Sequence, residues 1–200
     1  MANIITLSRF PLLLLYVLLI FLGDSTAHFW CVPLIIFIIL LDTVDGYVAR
    51  RFKLTSLLGS ALDIAADRTV ELVLWIIFSN LGLISVVVPL IVAARDISVD
   101  AVRSVGMSKG LAPFDQVKNP VSRFLVATPI MRTSYAVSKV IAFVMLTLTL
   151  AFQSAGSPVA AQLQSITQIF VWIAVGLCLV RGIPVLAEGY KLLAAYSNKD

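Results

Sequence analysis

Four aspartates with regular spacing stand in an otherwise apolar stretch of this 200-residue chain. The pattern reads Asp42-x-x-Asp45-Gly46-x-x-Ala49-Arg50, then eight residues, then Gly59-x-x-x-Asp63-x-x-x-Asp67. Ionised carboxylates are costly in apolar surroundings, and four of them close together repel one another. A bound divalent cation would offset both costs, so the pattern indicates a metal-dependent enzyme inside a membrane.

The spacing of the acids indicates how they would meet. Residues three or four apart share one helix face, so Asp42 and Asp45 would lie together on one helix. Asp63 and Asp67 would lie together on the next helix, after the basic connection at residues 50–59. Hard oxygen donors that converge across two antiparallel helices suit Mg²⁺ or Mn²⁺ rather than zinc.

Small residues accompany the acids on both predicted helices. Gly46 and Ala49 share the face of Asp42, and Gly59 lies four residues before Asp63. Small residues in membrane helices usually serve close helix packing. Beside carboxylates on both helices, however, they favour a groove in which a flat ligand approaches the backbone.

The rest of the chain is too apolar for a soluble domain. Hydrophobic residues make up 60% of it and charged residues only 13%, far from the balance of an average soluble domain. This composition predicts an all-α integral membrane protein, a bundle of six transmembrane helices of about 20 residues each. The predicted spans are residues 4–22, 29–48, 60–83, 84–102, 134–152 and 166–186.

The distribution of Lys and Arg sets the predicted orientation. Segments 23–28, 79–82 and 153–165 contain neither residue, so all 15 basic residues fall on the other side. By the positive-inside rule both termini and the acid site lie toward the cytoplasmic face. The net charge of +4 on that face suits anionic headgroups or phosphorylated substrates. A cleaved signal peptide at residues 1–22 is the alternative, and it would leave five spans.

Cysteine and histidine offer no alternative chemistry. Cys31 and Cys178 lie among apolar residues without metal-ligand spacing, which predicts buried, inert thiols. His28, the only histidine, falls in the predicted outer loop at residues 23–28, away from the acids. General-base chemistry at the acid site would therefore use a group other than imidazole.

The eight fixed residues of the acid pattern strongly resemble the motif of the CDP-alcohol phosphotransferase family, membrane enzymes of phospholipid synthesis. The family pattern D-x2-D-G-x2-A-R-x8-G-x3-D-x3-D is matched at every fixed position with no change in spacing. The opening Asn3-x-x-Thr6-x-x-Arg9 and the six-span layout are also similar to the family's. The resemblance implies a single catalytic membrane domain at residues 1–200, commonly assembled as a homodimer.

The resemblance also implies a mechanism. Mg²⁺ or Mn²⁺ would neutralise the pyrophosphate of CDP-diacylglycerol, Asp67 would take the proton of the acceptor hydroxyl as general base, and CMP would leave. The implied metal ligands are Asp42, Asp45, Asp63 and Asp67. The implied nucleotide-binding residues are Asn3, Thr6, Asp42, Gly46, Ala49, Arg50 and Gly59.

The middle of the chain bears on the acceptor alcohol. Residues 94–103 and 108–110 resemble the corresponding region of phosphatidylglycerophosphate synthases, which implies sn-glycerol 3-phosphate as acceptor. That dianion needs fixed cations, although Arg103 could instead pair with Asp100 on the same helix face. The candidate acceptor-phosphate residues are Arg95, Arg103, Lys109, Arg132 and Lys139.

Two departures keep inositol or inositol phosphate as an alternative acceptor. The connection at residues 111–129 is longer than is common in glycerophosphate synthases, and its prolines predict an interfacial loop with a short helix. Arg68, directly after Asp67, resembles inositol-lipid synthases, whereas glycerophosphate enzymes tend to have Lys there. Glycerol 3-phosphate is the preferred acceptor.

Other interpretations of the acids lead to other classes of protein. Single acids could pair with Arg50, Arg68 or Arg95, or form the ion path of a small cation transporter. The outer halves of the predicted spans, however, contain almost no polar residues. A non-catalytic scaffold would leave an intact four-acid site unexplained. The predicted partners are therefore the bilayer, the CDP-linked donor and the acceptor, and not a nucleic acid.

Overall fold

Helices account for all the regular structure in the described part of the chain. The structure, a computed structural model, describes the backbone of residues 2–51, 57–108 and 119–197 and the side chains of residues 6–41, 59, 62–107 and 119–191. Within these ranges it contains seven helices and no strand. They are α1 (Ala2–Leu22), α2 (Ser25–Arg51), α3 (Leu57–Asn80), α4 (Val87–Ser108), α5 (Pro120–Ala127), α6 (Pro129–Ser154) and α7 (Ala160–Ser197).

The six predicted spans correspond to six long helices, although α4 begins at Val87, after the predicted start at residue 84. Glycine fixes two of the helix ends. Gly82 and Gly156 have φ angles of 72° and 65°, in the left-handed region that glycine adopts readily. After α3, the N–H of Leu83 donates to the carbonyl of Phe78 at 3.0 Å, as in a Schellman motif. The third helix therefore ends at Asn80, before the predicted end of the span at residue 83.

The short helix α5 lies in the segment predicted to form an interfacial loop with a short helix. Asn119 caps it, since its side chain accepts a hydrogen bond from the N–H of Val121 at 3.0 Å, and Pro120 occupies the first turn. The helix stops at Ala127 because Thr128, which precedes a proline, is extended. Residues 111–118 of the same segment lie outside the described residues.

Within the described residues, two helical stretches are long and apolar enough to cross a membrane. They are Pro129–Ser154 and Ala160–Lys191, and shorter apolar stretches occupy Thr6–Leu22 and Ser25–Leu41. Large apolar side chains such as Leu22, Trp30 and Ile130 are exposed, as expected where lipid replaces water. The arrangement of six spans with cytoplasmic termini stays a prediction.

The chain divides into two compact units, and the first comprises Met1–Val86 and Val140–Ile169. In this unit α1 packs against α2 and α3. Trp75 of α3 lies against Phe143 of α6 with ring centroids 4.6 Å apart. The buried hydroxyls of Tyr16 and Thr147 are hydrogen bonded at 2.8 Å, which satisfies both polar groups between α1 and α6.

The prediction that His28 lies in an outer loop is wrong. The second helix already begins at Ser25 because the Asp24 side chain accepts a hydrogen bond from the N–H of Ala27 at 2.9 Å. His28 is buried, with Nε2 donating to the carbonyl of Ile20 at 3.0 Å and Nδ1 2.8 Å from the Ser154 hydroxyl. It joins three helix ends of the first unit.

The thiols match their prediction. Cys31 and Cys178 are both buried, and neither forms a disulfide.

The second compact unit comprises Val87–Lys139 and Phe170–Asp200. Its apolar centre is formed by Val99 of α4, Val126 of α5 and Val185 of α7. Glu188 of α7 accepts a hydrogen bond from the N–H of Asn119 at 3.1 Å, which fixes the start of α5. The short helix is thus held near its end by the apolar contacts of Val126 and at its start by the hydrogen bond from Asn119 to Glu188.

Close approach of α4 and α7 at Gly189 leads to a stability prediction. A Cβ atom at Gly189 would overlap Cγ1 of Val102, a short β-branched side chain with little freedom to move. We expect Gly189→Ala to destabilise the protein by about 1–3 kcal/mol, measured as a lower melting temperature in detergent. Gly176→Ala on the same helix is the matched control, because a Cβ there meets no atom within 4 Å. Equal melting temperatures for the two variants would contradict this close packing.

Candidate active site

The third helix presents two acids of the predicted site on one face. Asp63 and Asp67 lie four residues apart on α3, so their side chains leave the same side of the helix one turn apart. The Oδ1 atom of Asp63 is closed off from solvent, whereas the Asp67 side chain is 47% exposed. Gly59, one turn before Asp63, is partly buried. This half of the site therefore combines a carboxylate with one shielded oxygen, that of Asp63, and a partly exposed carboxylate, that of Asp67.

Arg9 of α1 lies beside Asp67. The first helix packs on the third, the Arg9 side chain is only 2% exposed, and its Nη2 atom is 3.9 Å from Oδ1 of Asp67. Thr6, a predicted nucleotide-binding residue one turn earlier on α1, is also buried. The cation partners that the sequence suggested for the acids did not include Arg9. Contact between α1 and α3 brings this residue to the acid site.

The other half of the predicted acid site lies outside the described side chains. The backbone of α2 is helical through Arg51, so Asp42 and Asp45 stand three residues apart on one continuous helix. Four other predicted site residues on α1 and α2 also have side chains outside the described residues: Asn3, Gly46, Ala49 and Arg50. Lys109 lies outside the described residues as well. The roles of these residues stay predictions.

The carboxylate oxygens on α3 are suitable ligands for a hard divalent cation. Two carboxylates one turn apart offer the oxygen ligands that Mg²⁺ and Mn²⁺ prefer. Among the described side chains no group of three or more His, Cys, Asp and Glu residues converges. Completing the coordination would fall to the acids of α2, so ligation by all four stays a prediction.

In the second unit, basic side chains surround one tyrosine ring. Tyr135 of α6 is buried, and its ring centroid lies 4.7 Å from Nζ of Lys139, 5.3 Å from Cζ of Arg181 and 5.9 Å from Cζ of Arg95. An aromatic face attracts cations at such distances. The positive charges of Arg103 and Arg132 also act on Arg181. The five residues, which we call the cation cluster, are Arg95, Arg103, Arg132, Lys139 and Arg181.

Arg95 is held firmly within the cation cluster. Its Nη1 atom donates to Oδ1 of Asp96 at 2.6 Å, and both side chains are buried. Gly182 of α7 makes room for it, since a Cβ at that position would lie 2.6 Å from Cγ of Arg95. Asp96 thus offsets the charge of Arg95, and guanidinium groups clustered in this way are suited to binding a phosphate.

Four members of the cation cluster were predicted from the sequence, and the fifth, Arg181, was not. Arg181 is the only charged residue in the apolar segment 166–186, and an isolated charge in a membrane span is a functional signal in its own right. Tyr135 carried no comparable signal, because an aromatic residue in an apolar helix is common. Its role as the centre of the cluster depends on contacts among α4, α6 and α7.

The described part of the chain is helical and largely apolar, with paired acids on α3 and clustered cations in the second unit, as expected of a membrane-embedded enzyme of phosphate chemistry. A model of the CDP-alcohol phosphatidyltransferase family matches residues 1–180, and the chain belongs to this family. Members are membrane-embedded transferases of phospholipid biosynthesis that use a divalent metal. They transfer a phosphatidyl group from a CDP-alcohol to an acceptor.

Proposed function

We propose that this protein transfers the phosphatidyl group of CDP-diacylglycerol to the hydroxyl of sn-glycerol 3-phosphate, giving phosphatidylglycerophosphate and CMP. The observation that carries the proposal is the pairing of Asp63 and Asp67 on α3 in a chain of this family. A sheltered carboxylate suits metal binding, and an accessible one suits proton transfer. The two acids therefore have environments that match different tasks.

In the proposed reaction the acids bind the metal, and one of them also accepts a proton. Asp42, Asp45, Asp63 and Asp67 would hold Mg²⁺ or Mn²⁺, which when bound supplies positive charge to the pyrophosphate. Asp67 takes the proton from the acceptor hydroxyl. The acceptor oxygen then bonds to the phosphorus that carries diacylglycerol, and the bond from that phosphorus to the bridging oxygen breaks with its electron pair leaving on CMP.

Recognition of the nucleotide would fall to α1, α2 and the start of α3. Small residues there would let the cytidine and its phosphates approach the backbone, and polar residues would hold them. The residues proposed for this role are Asn3, Thr6, Asp42, Gly46, Ala49, Arg50 and Gly59. The burial of Thr6 beside Arg9 is compatible with a polar pocket on α1.

The cation cluster supports an acceptor that carries a phosphate. Guanidinium groups bind phosphate through paired, charge-assisted hydrogen bonds, and several fixed cations favour a dianion over an uncharged alcohol. Lys109 is a further proposed member of the acceptor site, although it lies outside the described residues. Inositol phosphate is the alternative acceptor on the same reasoning, and free inositol is a weaker one.

An acceptor panel tests the proposal. Purified protein in detergent, with Mg²⁺ or Mn²⁺ and CDP-diacylglycerol, is expected to release CMP when glycerol 3-phosphate is added. Inositol phosphate, inositol and serine are assayed in parallel, and chelation of the metal is expected to stop the reaction. CMP release only with inositol phosphate would replace the acceptor and keep the chemistry. A preparation without CMP release on any acceptor would contradict the proposed function.

The family match favours a transferase over the alternative of a cation transporter. We further propose that the protein is a multi-pass homodimer with its active site toward the cytoplasmic face. The positive-inside distribution of Lys and Arg supports this orientation.

A further inference from the structure

Among the described side chains of the first unit, one positive and one negative side chain are buried. Of the Lys, Arg, Asp and Glu side chains described in that unit, only Arg9 and Glu71 are buried, at 2% and 3% exposure. An isolated buried charge is strongly destabilising, whereas two opposite charges close together offset each other's cost. The two residues belong to α1 and α3, which pack against each other. Charge compensation between these helices is therefore expected.

Glu71 continues the face of α3 that carries the acids. Asp63, Asp67 and Glu71 follow one another at intervals of four residues, so they lie along one side of the helix over two turns. Exposure falls along this row from the half-exposed Asp67 to the buried Glu71. Glu71 lies outside the acid motif, and the proposed reaction gives it no role. A buried carboxylate at this place still requires a physical reason.

The distance between Arg9 and Asp67 limits what Arg9 does. A separation of 3.9 Å between Nη2 and Oδ1 is an ion pair but is longer than a hydrogen bond. Arg9 therefore restrains the Asp67 carboxylate electrostatically without occupying the lone pairs of that oxygen. Such restraint matters for a half-exposed catalytic group, because a displacement of about 1 Å can lower a rate by about a hundredfold.

We propose that Arg9 and Glu71 are positioning residues for Asp67. Glu71 balances the charge of Arg9, and Arg9 holds the Asp67 carboxylate at ion-pair distance with its oxygens available to accept a proton. Without Glu71, the uncompensated guanidinium attracts Asp67 more strongly and binds the oxygen that must take the proton. This proposal rests on the proposed function, in which Asp67 is the general base.

Kinetics of three variants test the positioning role. Arg9→Met and Glu71→Gln are each expected to lower kcat by about 10–100-fold and to change the KM for CDP-diacylglycerol by less than about threefold, because they misplace the base and not the donor. Arg9→Lys keeps the charge and is expected to recover part of the lost kcat. Arg123→Met, which removes an exposed cation on α5, is the matched control and is expected to behave as wild type.

A double-variant cycle tests the charge compensation separately. Arg9→Met and Glu71→Gln each leave a buried charge unbalanced, and each is expected to lower the melting temperature. The double variant removes both charges, so its melting temperature is expected to exceed that of at least one single variant. Additive losses in the double variant would overturn the pairing of Arg9 with Glu71.

Outcomes of these experiments separate the positioning role from the function itself. If wild type releases CMP and Asp67→Asn does not, while Arg9→Met keeps the wild-type kcat, the positioning proposal fails and the proposed function stands. Loss of kcat in Arg9→Met without recovery in Arg9→Lys also overturns it, because a structural role would then suffice. If wild type releases no CMP with any acceptor, the proposed function itself fails, whatever the melting temperatures show.

Discussion

Replacing Asp67 by asparagine is expected to lower the rate of CMP release by roughly a thousandfold, the size of effect typical of a lost general base. Asparagine keeps the shape of the side chain but cannot take the proton of the acceptor hydroxyl. The substitution leaves in place Asp63, whose Oδ1 atom is shielded from solvent. The measurement is initial-rate CMP release at saturating CDP-diacylglycerol and acceptor.

Binding of the donor distinguishes loss of the base from loss of metal binding. Metal-dependent binding of CDP-diacylglycerol is expected to stay largely intact in Asp67→Asn, because the amide oxygen of asparagine can still bind the metal and the proton transfer follows binding. Asp45→Ala is the comparison variant, and it is expected to weaken that binding, since it removes a proposed metal ligand on α2. Normal turnover in both variants would show that the roles assigned to these acids are wrong.

The second large effect is expected at Arg181, the cation that sequence reasoning missed. Arg181→Gln removes one charge beside Tyr135 and keeps a hydrogen-bonding side chain. Hydrogen bonds to charged groups contribute about 1.5–3 kcal/mol, so the KM for glycerol 3-phosphate is expected to rise by about 10–150-fold. The KM for CDP-diacylglycerol is expected to change little. Initial rates at varied acceptor concentration provide the measurement.

Two comparisons sharpen the Arg181 prediction. Arg123→Gln makes the same substitution at an exposed position of α5 and is expected to leave the acceptor KM unchanged. Any measurable turnover with free inositol is expected to be insensitive to Arg181→Gln, because inositol carries no phosphate. A rise in KM of equal size for inositol would contradict a phosphate-binding role and would indicate a general distortion of α7.

Local patterns in the sequence predicted the elements well. The six apolar segments fall on six long helices, and the prolines of residues 111–129 correctly indicated a short helix, now seen as α5. Asp63 and Asp67 share α3 as their four-residue spacing requires. These features depend on the helix period and on backbone chemistry, which a few neighbouring residues determine.

Predictions that depended on how the helices pack were wrong or missing in two places. His28 was assigned to a loop because it lies between the predicted spans 4–22 and 29–48, but Asp24 caps α2 and the helix begins at Ser25. The ion pair of Asp67 with Arg9 was not foreseen, since the sequence does not indicate which helix packs against α3. The predicted partners were Arg50, Arg68 and Arg95, and spacing along the chain is a poor guide to contacts between helices.

The sequence by itself determined the class of protein: an apolar helical chain whose acids are spaced for metal-dependent phosphate chemistry. Tertiary structure decided which cation lies beside Asp67 and where the cations of the second unit gather, as seen at Arg9 and Tyr135. The reason is physical. Helix formation and face sharing arise from interactions within one turn, whereas the cost of a buried charge is set by whichever helix packs beside it.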